Sequence, residues 1–152
     1  MRKILLALIA VASAGSLLWA APEQAKPFDL PGLDGKQFRL ADHTGKGYVV
    51  LNFWARWCAS CEEEVPELAA LMKSPGAEKA LFVGVNVGDT ETKAGKFVKK
   101  FKYPYLVVMD KNKAVAKLYG VLGLPVTLII DKEGRIVFRG SRPPKTFDFK
   151  LP

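Results

Sequence analysis

Val50-Leu51-Asn52-Phe53-Trp54-Ala55-Arg56-Trp57-Cys58-Ala59-Ser60-Cys61 is the stretch from which the rest of the chain can be read. Its first half, extended back to Tyr48, is a nearly continuous apolar run of β-forming residues with Gly45 and Gly47 before it, the pattern of a strand buried on both faces. Its second half opens onto a helical pattern. From Ala59 to about Lys73, the apolar residues Val65, Leu68, Ala69, Leu71 and Met72 recur at helical spacing, and Glu62, Glu63 and Glu64 stand in the first turn, where carboxylates suit the helix dipole. The two cysteines therefore sit where a central strand turns into a helix. Pro66 falls inside the pattern and is expected to kink the helix or end its first segment.

Upstream, Phe28-Asp29-Leu30 and Gln37-Phe38-Arg39-Leu40 flank the turn-rich Pro31-Gly32-Leu33-Asp34-Gly35, which reads as an N-terminal hairpin. Downstream, Leu81 to Val87 reads as a second buried strand, Thr92 to Phe101 as a helix, Tyr105 to Met109 as a short extended piece and Lys113 to Tyr119 as another helix. Val126 to Ile130 and Arg135 to Phe138, joined through Asp131-Lys132-Glu133-Gly134, form a final hairpin. Strands alternating with helices early and a hairpin late predict a layered α/β architecture, a central mixed β-sheet flanked by helices with an N-terminal β-hairpin extension. The expected organisation is a signal peptide or membrane anchor over residues 1–21, a polar linker over 22–27, one domain over 28–140 and an irregular tail over 141–152.

Composition agrees with one ordinary globular domain: 49% of the 152 residues are hydrophobic and 25% are charged. Met1-Arg2-Lys3 followed by the uncharged Ile4 to Ala21 is a positive n-region ahead of an apolar stretch that ends in small residues, the layout of an export signal. Cleaved or retained as an anchor, it places the following domain outside the cytoplasm, periplasmic or extracytoplasmic. The formal net charge of +8 reads as a well-solvated basic surface, and with no RNA-binding signature or Arg-rich run no nucleic-acid partner is expected. Lys96, Lys99, Lys100 and Lys102 read as a solvated helix face, and His43 as a loop residue.

Only two cysteines occur, two residues apart, in a chain that carries an export signal. A thiol attacks a disulfide as the thiolate, and a helix N-terminus favours the thiolate through unpaired backbone N–H groups and local positive potential. Cys58 is placed for that role, and Cys61, one turn on, for resolving the mixed disulfide, so the pair carries two electrons with no cofactor beyond itself. A structural staple across two intervening residues would constrain the unfolded chain little. A closed zinc site needs about four ligands, where this chain offers two cysteines and a distant His43.

The quoted stretch, with Glu64 and Pro66 after it, closely resembles the TlpA/ResA branch of the thioredoxin superfamily. So do Lys117-Leu118-Tyr119-Gly120-Val121-Leu122-Gly123-Leu124-Pro125-Val126-Thr127 and Ile130-Asp131-Lys132-Glu133-Gly134-Arg135-Ile136-Val137, and the likeness covers about Phe28 to Gly140. The resemblance implies a thioredoxin-like fold and an extracytoplasmic thiol–disulfide oxidoreductase. It implies that Pro125 is a cis-proline facing the cysteine pair, that the Leu124 backbone bonds an extended substrate, that Trp57 packs beside the disulfide and its partner, and that Glu64 tunes cysteine reactivity. Trp54 reads as core. Thioredoxin itself has a buried Asp where this chain has Asn52, which cannot take a proton from Cys61. The branch usually adds a terminal helix where this chain continues Ser141-Arg142-Pro143-Pro144, a segment too short and proline-rich for one, which leaves two alternatives: one sheet face less covered, or Phe147 and Phe149 covering it in extended form.

The function expected on this basis is reduction of disulfides in exported proteins, for example in cytochrome c maturation or copper-site assembly, with a membrane thiol-electron transfer protein as reductant. A disulfide oxidase or isomerase would use the same residues at a different potential. A Cu(I)-handling module would use the cysteines as soft ligands without turnover, although no Met-rich or closely spaced His stretch accompanies them.

Overall fold

The computed structural model describes residues 22–149. The signal or anchor read over residues 1–21 lies outside the described residues. The chain forms β1 (Asp29–Pro31), β2 (Gln37–Arg39), β3 (Val49–Trp54), α1 (Ala59–Met72), β4 (Leu81–Val87), α2 (Glu91–Phe101), β5 (Leu106–Asp110), α3 (Ala114–Leu118), β6 (Val126–Ile130) and β7 (Ile136–Gly140). Five strands make one mixed sheet in the order β5-β4-β3-β6-β7, and β1 pairs with β2 as a separate antiparallel hairpin. The sheet is parallel from β3 through β4 to β5 and antiparallel from β3 through β6 to β7.

All six residues of β3 are buried, as a central strand covered on both faces requires. Side-chain alternation divides them. Val49, Leu51 and Phe53 pack with the N-terminal hairpin residues Phe28, Leu30, Phe38 and Leu40 and with Val115 and Tyr119 at α3. Val50 and Trp54 join clusters that hold α1, α2 and the C-terminal segment. The hairpin is tied to the far edge of the sheet where Leu33 N–H donates to the Val107 carbonyl at 2.8 Å. At the other edge Ala25 N–H donates to Gly134 O and Ile136 N–H to Glu23 O, each at 2.8 Å, so residues 23–25 lie along the β6–β7 turn.

Two local readings change. Helix α1 runs from Ala59 to Met72 through Pro66 and does not end there. Proline removes one helical hydrogen bond, but Val65, Leu68 and Leu71 on either side of it are buried and hold both halves of the helix to the sheet. The extended piece after α2 is a full edge strand, β5, hydrogen-bonded to β4.

The tail covers the sheet without a helix. Phe147 is buried against Val50, Leu71, Phe82 and Ile129, its ring edge-on to Tyr48 at 5.2 Å, and the Tyr48 hydroxyl donates to the Phe149 carbonyl at 3.2 Å. Arg142 bridges back to α1 through Glu67 at 2.7 Å and Glu63 at 3.2 Å. Phe147→Ala is therefore expected to lower unfolding free energy by about 3 kcal/mol in urea titration, as other buried Phe truncations do. A loss below about 0.5 kcal/mol would mean that the tail is not part of the core.

Candidate active site

The junction between β3 and α1 is held open as a loop by one buried carboxylate. Asp89, just after β4, accepts the Arg56 N–H at 2.7 Å and an Asn86 amide N–H at 3.0 Å, while its own N–H donates to Asn86 Oδ1 at 3.3 Å. Cys58 N–H closes the turn on the Ala55 carbonyl at 3.1 Å. Cys58 then caps α1 in extended geometry, its Sγ accepting Cys61 N–H at 3.2 Å, and the two sulfurs are joined in a disulfide. Both cysteines are buried, Cys58 at 7% exposure and Cys61 at 1%, so Cys58 is the outer of the two.

The helix that carries the disulfide also supplies one member of a buried polar network. Glu64 projects from α1, three residues after Cys61 and on the same helical face, and is fully buried. Its Oε1 accepts Asn52 Nδ2–H at 2.7 Å, and the same amide group lies 3.3 Å from Thr127 Oγ1, its cross-strand partner in β6. Asn52 Oδ1 accepts the Tyr103 hydroxyl at 2.6 Å and the Tyr105 hydroxyl at 3.4 Å. Burial pushes both phenols above their usual range, so they stay protonated donors. Gly84 of β4 makes room for this arrangement: a Cβ there would come within 2.8 Å of both Trp54 Nε1 and the Tyr103 ring.

Glu64 Oε2 has no protein partner. Burial raises the carboxyl from the ordinary 4.5 to about 7, against the Asn52 hydrogen bond and the nearby Arg142 charge, which pull it down; Glu67 adds to the rise. The group therefore changes charge near neutral pH.

The Leu124–Pro125 peptide is cis, as the resemblance implied. Phe53 pairs with Val126, and continuing that register by one residue sets Pro125 across from Trp54, at the rim of the cysteine loop. Leu124 packs against the cluster that contains Cys58 and Cys61, and it also lines a 280 Å³ pocket with Trp57, Val121 and Leu122. Trp57 stands 60% exposed, whereas Trp54 is fully buried. His43 stacks on Phe38 at 5.0 Å, away from the cysteines. No group of three or more His, Cys, Asp or Glu side chains among the described residues is arranged to hold a metal ion. Sequence reasoning did not find Asp89, Asn86, Tyr103 or Tyr105; the only signal was an Asp in the polar loop after a buried strand and two tyrosines around Pro104.

A disulfide between two cysteines at the start of the helix that follows the central strand, together with a cis-proline just before the neighbouring antiparallel strand, is the arrangement of the thioredoxin-fold thiol–disulfide oxidoreductases. The chain belongs to the AhpC/TSA family, whose model matches residues 21–139. It is 39% identical over 120 residues to the thiol-disulfide oxidoreductase ResA of Geobacillus thermodenitrificans, covering 77% of this chain and 67% of that one. To ResA of Bacillus subtilis it is 37% identical over 113 residues, covering 74% and 63%. The chain thus spans about two thirds of the length of these relatives. Among solved structures, the thioredoxin domain of a thiol-disulfide oxidoreductase from Bacteroides vulgatus superposes with a TM-score of 0.72 at 27% identity, covering 82% of this chain and 90% of that one.

The raised Glu64 value has a thermodynamic consequence. The unfolded chain releases this proton near 4.5 and the folded one near 7, so the folded state binds more protons between them and stability falls as pH rises through that window. The stabilisation is complete below about 4.5 and lost by about 7, a change on the order of 2 to 3 kcal/mol. Urea titrations of the oxidised protein and of Glu64→Gln across this range should diverge by that amount, with the variant flatter. Parallel curves would place the Glu64 transition at an ordinary carboxylate value.

Proposed function

We propose that the protein is an extracytoplasmic reductant of disulfides in exported proteins, re-reduced by a membrane thiol-electron transfer protein. The observation that carries the reading is the asymmetric cysteine pair: a less buried Cys58 at the helix N-cap, and a more buried Cys61 three residues before a buried carboxyl that changes charge near pH 7. The apolar, uncharged stretch behind Arg2 and Lys3 supports export, and the names of the ResA relatives support the redox chemistry.

In the proposed cycle the Cys58 thiolate attacks one sulfur of the substrate disulfide, forming a mixed disulfide and releasing the other substrate sulfur as a thiolate that takes a proton. Cys61 then loses its proton, attacks Cys58 Sγ and releases the second substrate thiol. The substrate leaves with two electrons and two protons, and the protein keeps the Cys58–Cys61 disulfide. Glu64 is the group assigned to take the Cys61 proton, a role Asn52 cannot fill because an amide has no basic site in this range. Trp57, Leu124 and Pro125 form the docking edge for the substrate backbone. Reduction of apocytochrome c or of a copper-site assembly factor is the specific task that this reading suggests.

The potential of the Cys58–Cys61 couple, titrated against thiol–disulfide buffers, is expected near that of thioredoxin, about −270 mV. A value near about −120 mV would make the protein an oxidant and reverse the proposed flow. With a mixed-disulfide substrate, Cys58→Ser should abolish turnover and Cys61→Ser should accumulate the covalent complex. Glu64→Gln should slow its resolution about 100-fold, the lower end of general acid–base contributions. Unchanged resolution across pH would remove Glu64 from the mechanism.

A further inference from the structure

We infer that the face beside the disulfide, built from Trp57, Leu122 and Leu124 and edged by Lys113 and Lys117, docks a substrate segment that carries a bulky apolar side chain and acidic residues next to its disulfide. The inference rests on the reductase reading and names the substrate class for that same site.

The apolar part of the argument begins with exposure. Among the described residues the large hydrophobic side chains left exposed are Trp57, Leu118 and Leu122, at 60%, 39% and 101%. Trp57 and Leu122 line one pocket, floored by Val87, Val121 and Leu124. Single exposed leucines such as Leu118 are ordinary, but the two most exposed of these groups, Trp57 and Leu122, gathered around one concavity mark an interaction site. Leu122 is also held outward by its neighbours. Val121 N–H donates to the Ala116 carbonyl at 2.9 Å and Gly120 N–H to Lys117 O at 3.0 Å, and Gly120 adopts φ +64, a left-handed conformation that ends α3. The preceding residue is fixed as well, with the Tyr119 hydroxyl donating to Lys26 O at 2.7 Å and Arg139 Nη1 donating to Tyr119 O at 3.0 Å. The loop after Gly120 therefore presents a fully exposed leucine from an anchored backbone.

The pocket is continuous with the chemistry. Leu124 touches both the cysteine cluster and the pocket, and Trp57 directly precedes Cys58. At 280 Å³ it falls just below the roughly 300–1,000 Å³ of small-molecule sites, and it suits one apolar side chain of a segment lying across the disulfide.

The charged part comes from α3. Lys113 and Lys117 line the same pocket, no Asp or Glu does, and neither lysine makes an ion pair among the described residues. Lys111, close by in sequence, is bound to Glu91 and so contributes little free charge. Lys26 reaches the same helix end, its Nζ 3.1 Å from the Leu118 carbonyl. Asp110 fixes the helix that carries the lysines, accepting Val115 N–H at 3.2 Å and Ala116 N–H at 2.8 Å. A positive rim around an apolar pocket selects acidic flanks through steering and rim contacts. A lipid surface of anionic headgroups would share that charge preference, but the concavity and its continuity with a buried disulfide favour a protein segment.

The test uses the reduced full chain and three oxidised peptides. Each carries one intramolecular disulfide with leucine beside one cysteine, and they differ only in two flanking residues: Glu, Gln or Lys. Second-order rate constants from acid-quenched mass analysis should rank Glu above Gln above Lys. The Glu-to-Lys ratio should be about tenfold at low ionic strength and shrink at about 0.5 M salt. Lys113→Glu combined with Lys117→Glu should invert the order. Leu122→Ser should narrow the advantage of these peptides over ones with serine in place of leucine. Equal rates across the charge series, or an order unmoved by the double substitution, would overturn the docking inference and leave the reductase reading standing. Failure to reduce any peptide would remove both. Loss of sedimentation with anionic phospholipid vesicles in these variants, with peptide order unmoved, would assign the face to lipid and overturn the proposal.

Discussion

Burial of β3 on both faces is the constraint from which the site follows. A strand with no solvent face should be apolar throughout, and five of its six residues are; the sixth, Asn52, is fully buried and brings four hydrogen-bonding demands into the interior. Those demands are met by groups from three other elements: Glu64 from α1, Thr127 from β6, and Tyr103 and Tyr105 from the segment leading into β5. One polar residue in the central strand thus determines what the first helix must carry one turn after Cys61. A carboxyl placed there in isolation would cost several kcal/mol. With one oxygen bonded by Asn52 and the other unpartnered, it is retained mostly as the neutral acid below pH 7. Local rules of burial are broken at this position, as they commonly are at functional sites.

Opposite influences act on Cys58. The N-terminus of α1 favours the thiolate, and the Cys61 N–H already points at its sulfur. Asp89 pins the loop ahead of it through the Arg56 N–H. The burial of Cys58 opposes its ionisation. An attacking thiol is most effective when its pKa lies near ambient pH, because a much more acidic thiolate is a poorer nucleophile.

The parts of the molecule that were legible in the sequence are those where one residue type answers one physical demand. The apolar run into Trp57-Cys58, the helical repeat after it, and the glycine-containing hairpins each carry their cause locally. Pro125 became readable only through resemblance, because a Leu-Pro pair by itself favours the trans form. The buried network was not legible: Tyr103 and Tyr105 read as ordinary β-forming residues, and nothing local says that their hydroxyls meet an amide 51 and 53 positions away. Asp89 was hidden for the opposite reason, since an aspartate in a polar loop looks like a turn residue until the fold brings Arg56 to it. Pro66 left a kink or an end open in the sequence, and the tertiary burial on both sides of it, not the local hydrogen bond, decides that α1 continues.

The C-terminal segment links packing to electrostatics. Phe147 fills space beside Val50 and Ile129 on the α1 side of the sheet, and this places Arg142 where it pairs with Glu63 and Glu67, one residue before Glu64 and one turn beyond Glu63. Both pairs are exposed, so each contributes little to stability. Their consequence lies in position: Arg142 offsets the Glu67 charge and lowers the Glu64 value against the effect of burial. A terminal helix laid over this part of the sheet would cover apolar surface equally well, but it would bring its own dipole and side chains to the same spot. By using an extended strap with one arginine, the chain covers the sheet and keeps the buried carboxyl titrating near neutrality, where its proton can move.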